Sequence, residues 1–151
     1  MSGVPILVEA VGLRVLVVGA GVVATRKLVT LAEDGRVEWL RRTYVPADLD
    51  DAQLVIVATD DRAVNAMAAA DALAMYRMVN VADAPADGSF TMMATHRSGD
   101  LVVGVSAGGV PGAAARIRDV IAGRFDERYA RAVAALVATR RGGSRRARSP
   151  P

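Results

Sequence analysis

The segment "RVLVVGAGVVATRK", Arg14–Lys27, decides the fold of this chain. An unbroken apolar run, Leu13–Val18, ends at Gly19. An apolar run of this length followed by glycine is typical of a strand buried on both faces of a parallel sheet. Val22–Glu33 then has apolar residues at helical spacing, and Asp34-Gly35 is a helix stop signal. The segment therefore predicts a strand, a glycine turn and a helix in that order.

The turn matches the pattern G-x-G-x-x-A, a variant of the dinucleotide-binding fingerprint. The pattern needs glycine where the chain turns sharply and where backbone approaches a diphosphate, and a small residue where the helix packs on the strand. Backbone N–H groups at the helix start would face the anion. The residues alone leave two interpretations open, a cofactor site and a tight bend. The candidate cofactor-binding residues of the turn are Gly19, Gly21, Val22, Val23 and Ala24.

Strand and helix patterns alternate along the rest of the chain. This order predicts an α/β fold with a parallel sheet and helices on both faces. The apolar stripe of Phe125, Tyr129 and Leu136 predicts a further helix, which covers the sheet or pairs with another subunit. The predicted strands are Arg36–Arg41, Leu54–Ala58, Met78–Ala82 and Leu101–Val105, and the predicted helices are Ala63–Met75 and Ala113–Ile121.

Composition and charge limit the classes of function. The 151 residues are 52% apolar, contain no cysteine and include no uncharged run long enough for a membrane span. We therefore expect a cytoplasmic protein without disulfides or membrane segment. Five arginines lie in the last twelve residues of a chain of net charge +3, so the first 139 residues carry a net −2. The basic character belongs to a predicted disordered tail, and a nucleic-acid-binding function is not expected.

Polar residues follow the predicted strands where open α/β sheets bind their ligands. Asp83 follows Met78–Ala82, and its carboxylate can act as a base or cap the following loop. Thr59, Asp60 and Asp61 follow the preceding strand and have side chains that can cap the next helix. Thr59 and Asp60 could also line a nicotinamide. His96 is the only histidine, so no metal site is predicted.

The second predicted strand offers candidates for the adenosine side of a cofactor. Glu38 has about the spacing from the turn at which an acid binds ribose hydroxyls. Arg41 and Arg42 would instead suit a 2′-phosphate. A solvent-facing role for Glu38 also remains open.

Four stretches of the chain form a set with a fixed order and spacing: Pro5–Lys27, Gly35–Asp61 with Asn65 soon after, Met78–Phe90 and Ser98–Ile121. Together they resemble the N-terminal module of siroheme synthase, the precorrin-2 dehydrogenase family, whose members in some cases are also sirohydrochlorin ferrochelatases. The resemblance covers most of Pro5–Ile121. It implies a Rossmann-like domain followed by a small dimerisation segment and C-terminal helices. It also implies a homodimer that uses NAD to oxidise precorrin-2, a tetrapyrrole, to sirohydrochlorin.

The resemblance also assigns roles to residues. NAD contacts fall on Gly19, Gly21, Val22 and Val23, and the key carboxylate of the "VNV-x-D" motif falls on Asp83. Because the substrate carries many carboxylates, Ser106, Arg116 and Arg118 are candidate substrate-binding residues, although the arginines also fit a solvated helix surface. The expected domains are 1–83 for NAD, 84–139 for dimerisation and substrate, and 140–151 as the tail.

The sequence departs from the family pattern between the first helix and Gly35. The adenosine-side contacts of a dinucleotide fold lie in this region, and about twenty residues of it are missing relative to the family. Ala107 and Pro111-Gly112 replace residues that are usually hydroxyl-bearing or Ser-Pro. An alternative function is therefore a non-catalytic NAD(P)-binding regulatory module.

Overall fold

The computed structural model of the chain describes residues 3–9, 11–31 and 42–146. The predicted strand at 36–41, with Glu38 and Arg41, lies outside the described residues. The chain divides into two compact units, Met1–Thr91 and Met92–Pro151. The strands are β1 (Val15–Val18), β2 (Leu54–Val57), β3 (Met78–Val81), β4 (Ala94–Ser98) and β5 (Leu101–Val105). The helices are α1 (Val22–Leu31), α2 (Arg62–Ala74), α3 (Pro111–Arg124) and α4 (Glu127–Arg146), with 3₁₀ turns at Pro46–Leu49 and Pro85–Asp87.

The first unit is a parallel sheet in the order β1-β2-β3. The central strand β2 has all four residues buried, as the unbroken apolar run predicts. Its Val55 and Val57 belong to one buried cluster with Val79 and Val81 of β3 and the small residues of α2, which are Ala68, Ala69 and Ala72. Burying each valine side chain stabilises the fold by about 1.5–3 kcal/mol.

The two helices of this unit cover opposite faces of the sheet. Successive strand residues point to opposite faces, so Asn80 lies on the face away from the cluster that contains Val79 and Val81. The Asn80 Oδ1 atom accepts a hydrogen bond from Lys27 Nζ of α1 at 2.8 Å. The expected α/β class, with a parallel sheet between helices, is confirmed.

Helix α2 begins at a side-chain cap. The Asp61 carboxylate accepts hydrogen bonds from the backbone N–H groups of Ala63 at 2.8 Å and Val64 at 3.2 Å. The sequence offered Thr59 and Asp60 as well as Asp61, and the structure places the cap at Asp61. Such a cap is worth about 1 kcal/mol relative to alanine.

The second unit is an antiparallel hairpin, β4-β5, with α3 and α4. Pro111 occupies the first turn of α3, where its missing N–H costs nothing. Helix α4 extends through Arg146 and so enters the segment expected to be a disordered tail, because arginine is a good helix former. The domain ranges expected from the sequence stay a prediction. None of the helices in the described part of the chain is long and apolar enough to cross a membrane.

Tyr44 gives the first unit a pH-dependent contact. Its hydroxyl donates to Asp71 Oδ2 of α2 at 3.0 Å, and burial together with this bond raises the tyrosine pKa above 10.0. Because the unfolded chain then loses the proton first, the free energy of unfolding should fall as pH rises above about 10. In Tyr44→Phe the decline should be shallower. Urea unfolding between about pH 9 and 11 checks this, and equal slopes for both proteins would contradict it.

Candidate functional site

The carboxyl ends of the three parallel strands meet at one edge of the first unit. Val18 pairs with Val57, and Val57 with Val81, so the three strands end in register. The glycine turn, Thr59 and Asp83 each follow one of these ends. The topology therefore brings the predicted cofactor residues and the predicted base of this unit to the same edge, where open α/β sheets bind ligands.

Gly19 makes the sharp turn after β1. Its φ is +119°, and a Cβ there would lie 2.4 Å from the carbonyl oxygen of Ala58 and 2.7 Å from its carbon. Both are backbone atoms that β2 holds in place, since the Ala58 N–H donates to the Val18 carbonyl at 2.9 Å. Only glycine fits this position without displacing the sheet edge.

Gly21 meets a different requirement. A Cβ at Gly21 would have nothing within 4 Å, so the space in front of this backbone is open. The first helical hydrogen bond of α1 runs from the Thr25 N–H to the Gly21 carbonyl at 3.0 Å. The N–H groups of Val22, Val23 and Ala24 precede it and have no acceptor within the helix.

The side chains around the turn agree with the fingerprint. Ala24 is 1% exposed, which fits the small residue required where helix and strand pack, whereas Val22 is 85% exposed. Open space, amides without helical acceptors and the positive end of the α1 dipole together form a cradle that fits a diphosphate. The residues present therefore fit a dinucleotide at this turn.

Thr59 uses its hydroxyl within the β2–α2 loop. The Thr59 Oγ1 atom lies 2.6 Å from Asn65 Oδ1 and accepts a hydrogen bond from the Asp61 N–H at 3.1 Å. Because a threonine hydroxyl has one proton, this arrangement leaves it none for a ligand. Asp60, the other candidate of this loop, is exposed. Both stay predictions as cofactor-binding residues.

Asp83 is held by two side chains of α2. Its Oδ1 accepts a hydrogen bond from Asn65 Nδ2 at 3.1 Å, and its Oδ2 lies 3.5 Å from the Arg62 guanidinium. Arg62 binds Asp87 more closely, at 2.7 Å. Among the described residues, no hydrogen bond to the carboxylate comes from the backbone of the following loop. The Asp83 side chain is 41% exposed, so a reactant can reach it.

Asn65 is the residue of this site that reasoning from the residues did not identify. Asn65 is 1% exposed and lies in an alanine-rich helix. In the part of the chain that the structure describes, the buried polar residues are Asn65 and Asn80. Since buried amides need hydrogen-bond partners, an asparagine on the buried face of α2 was the available signal.

On the opposite face of the sheet, burial and the neighbouring Arg26 lower the pKa of Lys27, which binds Asn80.

The three predicted substrate-binding residues belong to the second unit. Ser106 and Arg116 are exposed. Arg118 donates to Asp119 Oδ1, with its Nε at 3.0 Å and its Nη2 at 2.6 Å. Residues two apart on a helix do not face each other, so the two arginines cannot clamp one carboxylate together. Their assignment to substrate stays a prediction.

His96 and Arg42 have structural contacts. The His96 Nε2 atom lies 2.9 Å from the Phe125 carbonyl oxygen and must carry the proton, because a carbonyl only accepts. The Arg42 guanidinium donates to the Asp48 carboxylate, which raises the arginine pKa and lowers that of the aspartate. Within the described ranges, no group of three or more metal-binding side chains comes together.

The fold and this sheet edge define a Rossmann-like, NAD(P)-binding class of protein. A family model described as "Putative NAD(P)-binding" matches residues 30–94. The chain is similar to the siroheme-synthase N-terminal module family, in sequence to two proteins and in structure to a third.

Two of these proteins are siroheme synthases of Pseudomonas. The one from Pseudomonas putida is 40% identical over 130 positions, covering 72% of this chain and 28% of the relative. The one from Pseudomonas fluorescens is 34% identical over 171 positions, covering 84% and 37%. The third is the solved structure "SirC, precorrin-2 dehydrogenase", with a TM-score of 0.72 at 25% identity over 89% of this chain and 78% of that one.

The alignments show how much of each siroheme synthase this chain spans and how many gaps they place in it. The chain spans 28–37% of the length of these two siroheme synthases. In the first alignment, 72% of 151 residues is about 109 residues, so about 21 of the 130 positions are gaps in this chain. In the second alignment, 84% of 151 residues is about 127 residues, so about 44 of the 171 positions are gaps in this chain. The deletion of about twenty residues between the first helix and Gly35 stays a prediction.

Proposed function

We propose that this chain is an NAD-dependent precorrin-2 dehydrogenase that oxidises precorrin-2 to sirohydrochlorin. The observation that carries the proposal is the shared strand edge. An open glycine turn whose amides have no acceptor within the helix follows β1, and a carboxylate held by α2 follows β3 of the same sheet. The precorrin-2 dehydrogenase SirC has a similar fold over most of both chains.

The chemistry divides between cofactor and protein. Bound NAD supplies the hydride acceptor for a dehydrogenation that removes a hydride and a proton from the tetrapyrrole. The amides of Val22 and Val23 would hold the diphosphate, and the open space at Gly21 would let it approach them. The Asp83 carboxylate accepts the proton and passes it to water, since the side chain is 41% exposed.

The choice of NAD over NADP rests on Arg42. A 2′-phosphate needs a free guanidinium beside the ribose. The Arg42 guanidinium is instead bound to Asp48 and also donates to the Thr43 carbonyl at 3.2 Å. Arg41, the other candidate for a 2′-phosphate, lies outside the described residues, so the commitment of Arg42 to its own loop is what supports the unphosphorylated ribose of NAD.

Substrate binding and assembly draw on the second unit. We assign the tetrapyrrole carboxylates to Ser106 and Arg116, with Arg118 secondary because Asp119 occupies it. A homodimer is supported by large apolar side chains on the helices of this unit, among them Val120 at 69% and Leu136 at 71% exposed. A two-stranded hairpin with so few buried residues also needs further packing to be stable.

Turnover tests the proposal directly. With precorrin-2 generated in situ, the chain should form NADH and sirohydrochlorin in equal amounts, and NADP should support a slower reaction. Both products are measured by absorbance. Binding of NAD without any NADH formation would instead identify a non-catalytic NAD(P)-binding regulatory module.

A further inference from the structure

We propose that Asn65 is the positioning residue of the candidate site, fixing the Asp83 carboxylate in the orientation in which it accepts a proton. This inference rests on the proposed function, because it takes Asp83 as the base. Asn65 is the fourth residue of α2 and is 1% exposed. Its side chain connects the end of β2 to the residue that follows β3.

The Asn65 amide uses its complete hydrogen-bonding capacity. Its Oδ1 accepts from the Thr59 N–H at 3.1 Å and from Thr59 Oγ1 at 2.6 Å. Its Nδ2 donates to the Thr59 carbonyl at 3.1 Å and to Asp83 Oδ1 at 3.1 Å. An asparagine side chain has two donor hydrogens and two acceptor lone pairs, and all four are matched here.

This arrangement fixes which way the amide faces. A backbone N–H can only donate, so the atom nearest the Thr59 N–H must be the oxygen. The NH₂ group is thereby directed at the Thr59 carbonyl and at Asp83. Three of the four hydrogen bonds of Asn65 go to Thr59, which follows β2. Asn65 therefore holds the Asp83 side chain in position relative to the end of β2, and the loop of Asp83 itself does not.

The two carboxylate oxygens of Asp83 are consequently not equivalent. Oδ1 is held by the buried asparagine, whereas Oδ2 has only the long 3.5 Å contact to Arg62, whose closer partner is Asp87 at 2.7 Å. Oδ2 is therefore the oxygen that accepts the proton. Rotation of the carboxylate is opposed by the loss of the part-buried hydrogen bond on Oδ1.

The kinetic test uses the isosteric variant Asn65→Asp. It keeps the oxygen that accepts from Thr59 but replaces the donor facing Asp83 with a second acceptor. We expect kcat to fall about 10- to 100-fold while KM for NAD and precorrin-2 changes less than about threefold, because orientation and not binding is lost. An unchanged kcat, or a loss confined to KM, would overturn the proposal.

Asn80→Asp is the matched control. Asn80 is also buried, at 3% exposed, but it donates to the Phe90 carbonyl and accepts from Lys27 on the other face of the sheet. The kcat of the Asn80→Asp variant should stay within about threefold of the kcat of the parent protein. An equal loss of kcat in both variants would mean that burying a carboxylate near the sheet edge disturbs the fold in general, and the proposal would fail.

A second measurement needs neither turnover nor a variant at residue 65. In ¹⁵N NMR spectra the side-chain NH₂ signals of Asn65 should shift strongly in Asp83→Ala and little in Asp87→Ala. Unshifted signals in Asp83→Ala would refute the contact. If the parent protein shows no turnover but the signals shift as expected, the proposed dehydrogenase function fails while the link between Asn65 and Asp83 stands.

Discussion

Asp83→Asn is expected to lower kcat about 10³-fold while leaving the affinity for NAD within about twofold. An amide keeps the shape of the carboxylate and can still accept the hydrogen bond from Asn65, but it cannot take up a proton. The glycine turn is untouched, so the cofactor should bind as before. NADH formation gives kcat, and isothermal titration with NAD gives the affinity.

Asp87→Asn is the control for this prediction. Asp87 shares Arg62 with Asp83 and binds it more closely, so the variant disturbs the same ion-pair cluster. Exposed ion pairs of this kind contribute little to stability. Turnover of Asp87→Asn should stay within a few-fold of the parent, and normal turnover by Asp83→Asn would remove Asp83 from the mechanism.

Gly19→Ala is expected to destabilise the chain by at least about 3 kcal/mol. The added Cβ would stand 2.4 Å from the Ala58 carbonyl oxygen, and alanine disfavours the φ of +119° that the turn requires. Neither problem can be relieved without moving β1 away from β2. The free energy of unfolding in urea measures the loss.

Gly21→Ala separates stability from binding at the same turn. The Cβ of the alanine would have no atom within 4 Å, so the free energy of unfolding should change by about 1 kcal/mol or less. The methyl group would occupy the space through which a diphosphate approaches the amides, and the affinity for NAD should fall at least about tenfold. Equal stabilities for the two variants, or full NAD affinity in Gly21→Ala, would contradict this account of the turn.

The parts of the fold that are local in sequence could be predicted. β1, the turn and α1 follow one another within Leu13–Leu31, and their signals are an apolar run, two glycines and a helical spacing. The same is true of β2, α2 and β3, where alternating apolar and alanine-rich segments end at polar residues. Asp83 could be predicted as a candidate because its position after a buried strand is enough to place it at the functional edge.

The contacts between distant residues could not be predicted in the same way. Asn65 and Asp83 are 18 residues apart, and their hydrogen bond depends on how α2 packs on β3. The hydrogen bond between Arg42 and Asp48 depends on the 3₁₀ turn at Pro46–Leu49, which the hydrophobic pattern of the sequence does not predict. For the cap of α2, the sequence reduced the candidates to three neighbouring residues. Only the backbone geometry shows that Asp61 is the one that caps the helix.

A crystal structure of the chain grown with saturating NAD tests the central claim most directly. We expect the diphosphate to lie over the backbone amides of Val22 and Val23, in the open space at Gly21, with the nicotinamide on the Asp83 side of the sheet edge. A diphosphate bound elsewhere, or a nicotinamide turned away from Asp83, would contradict the account.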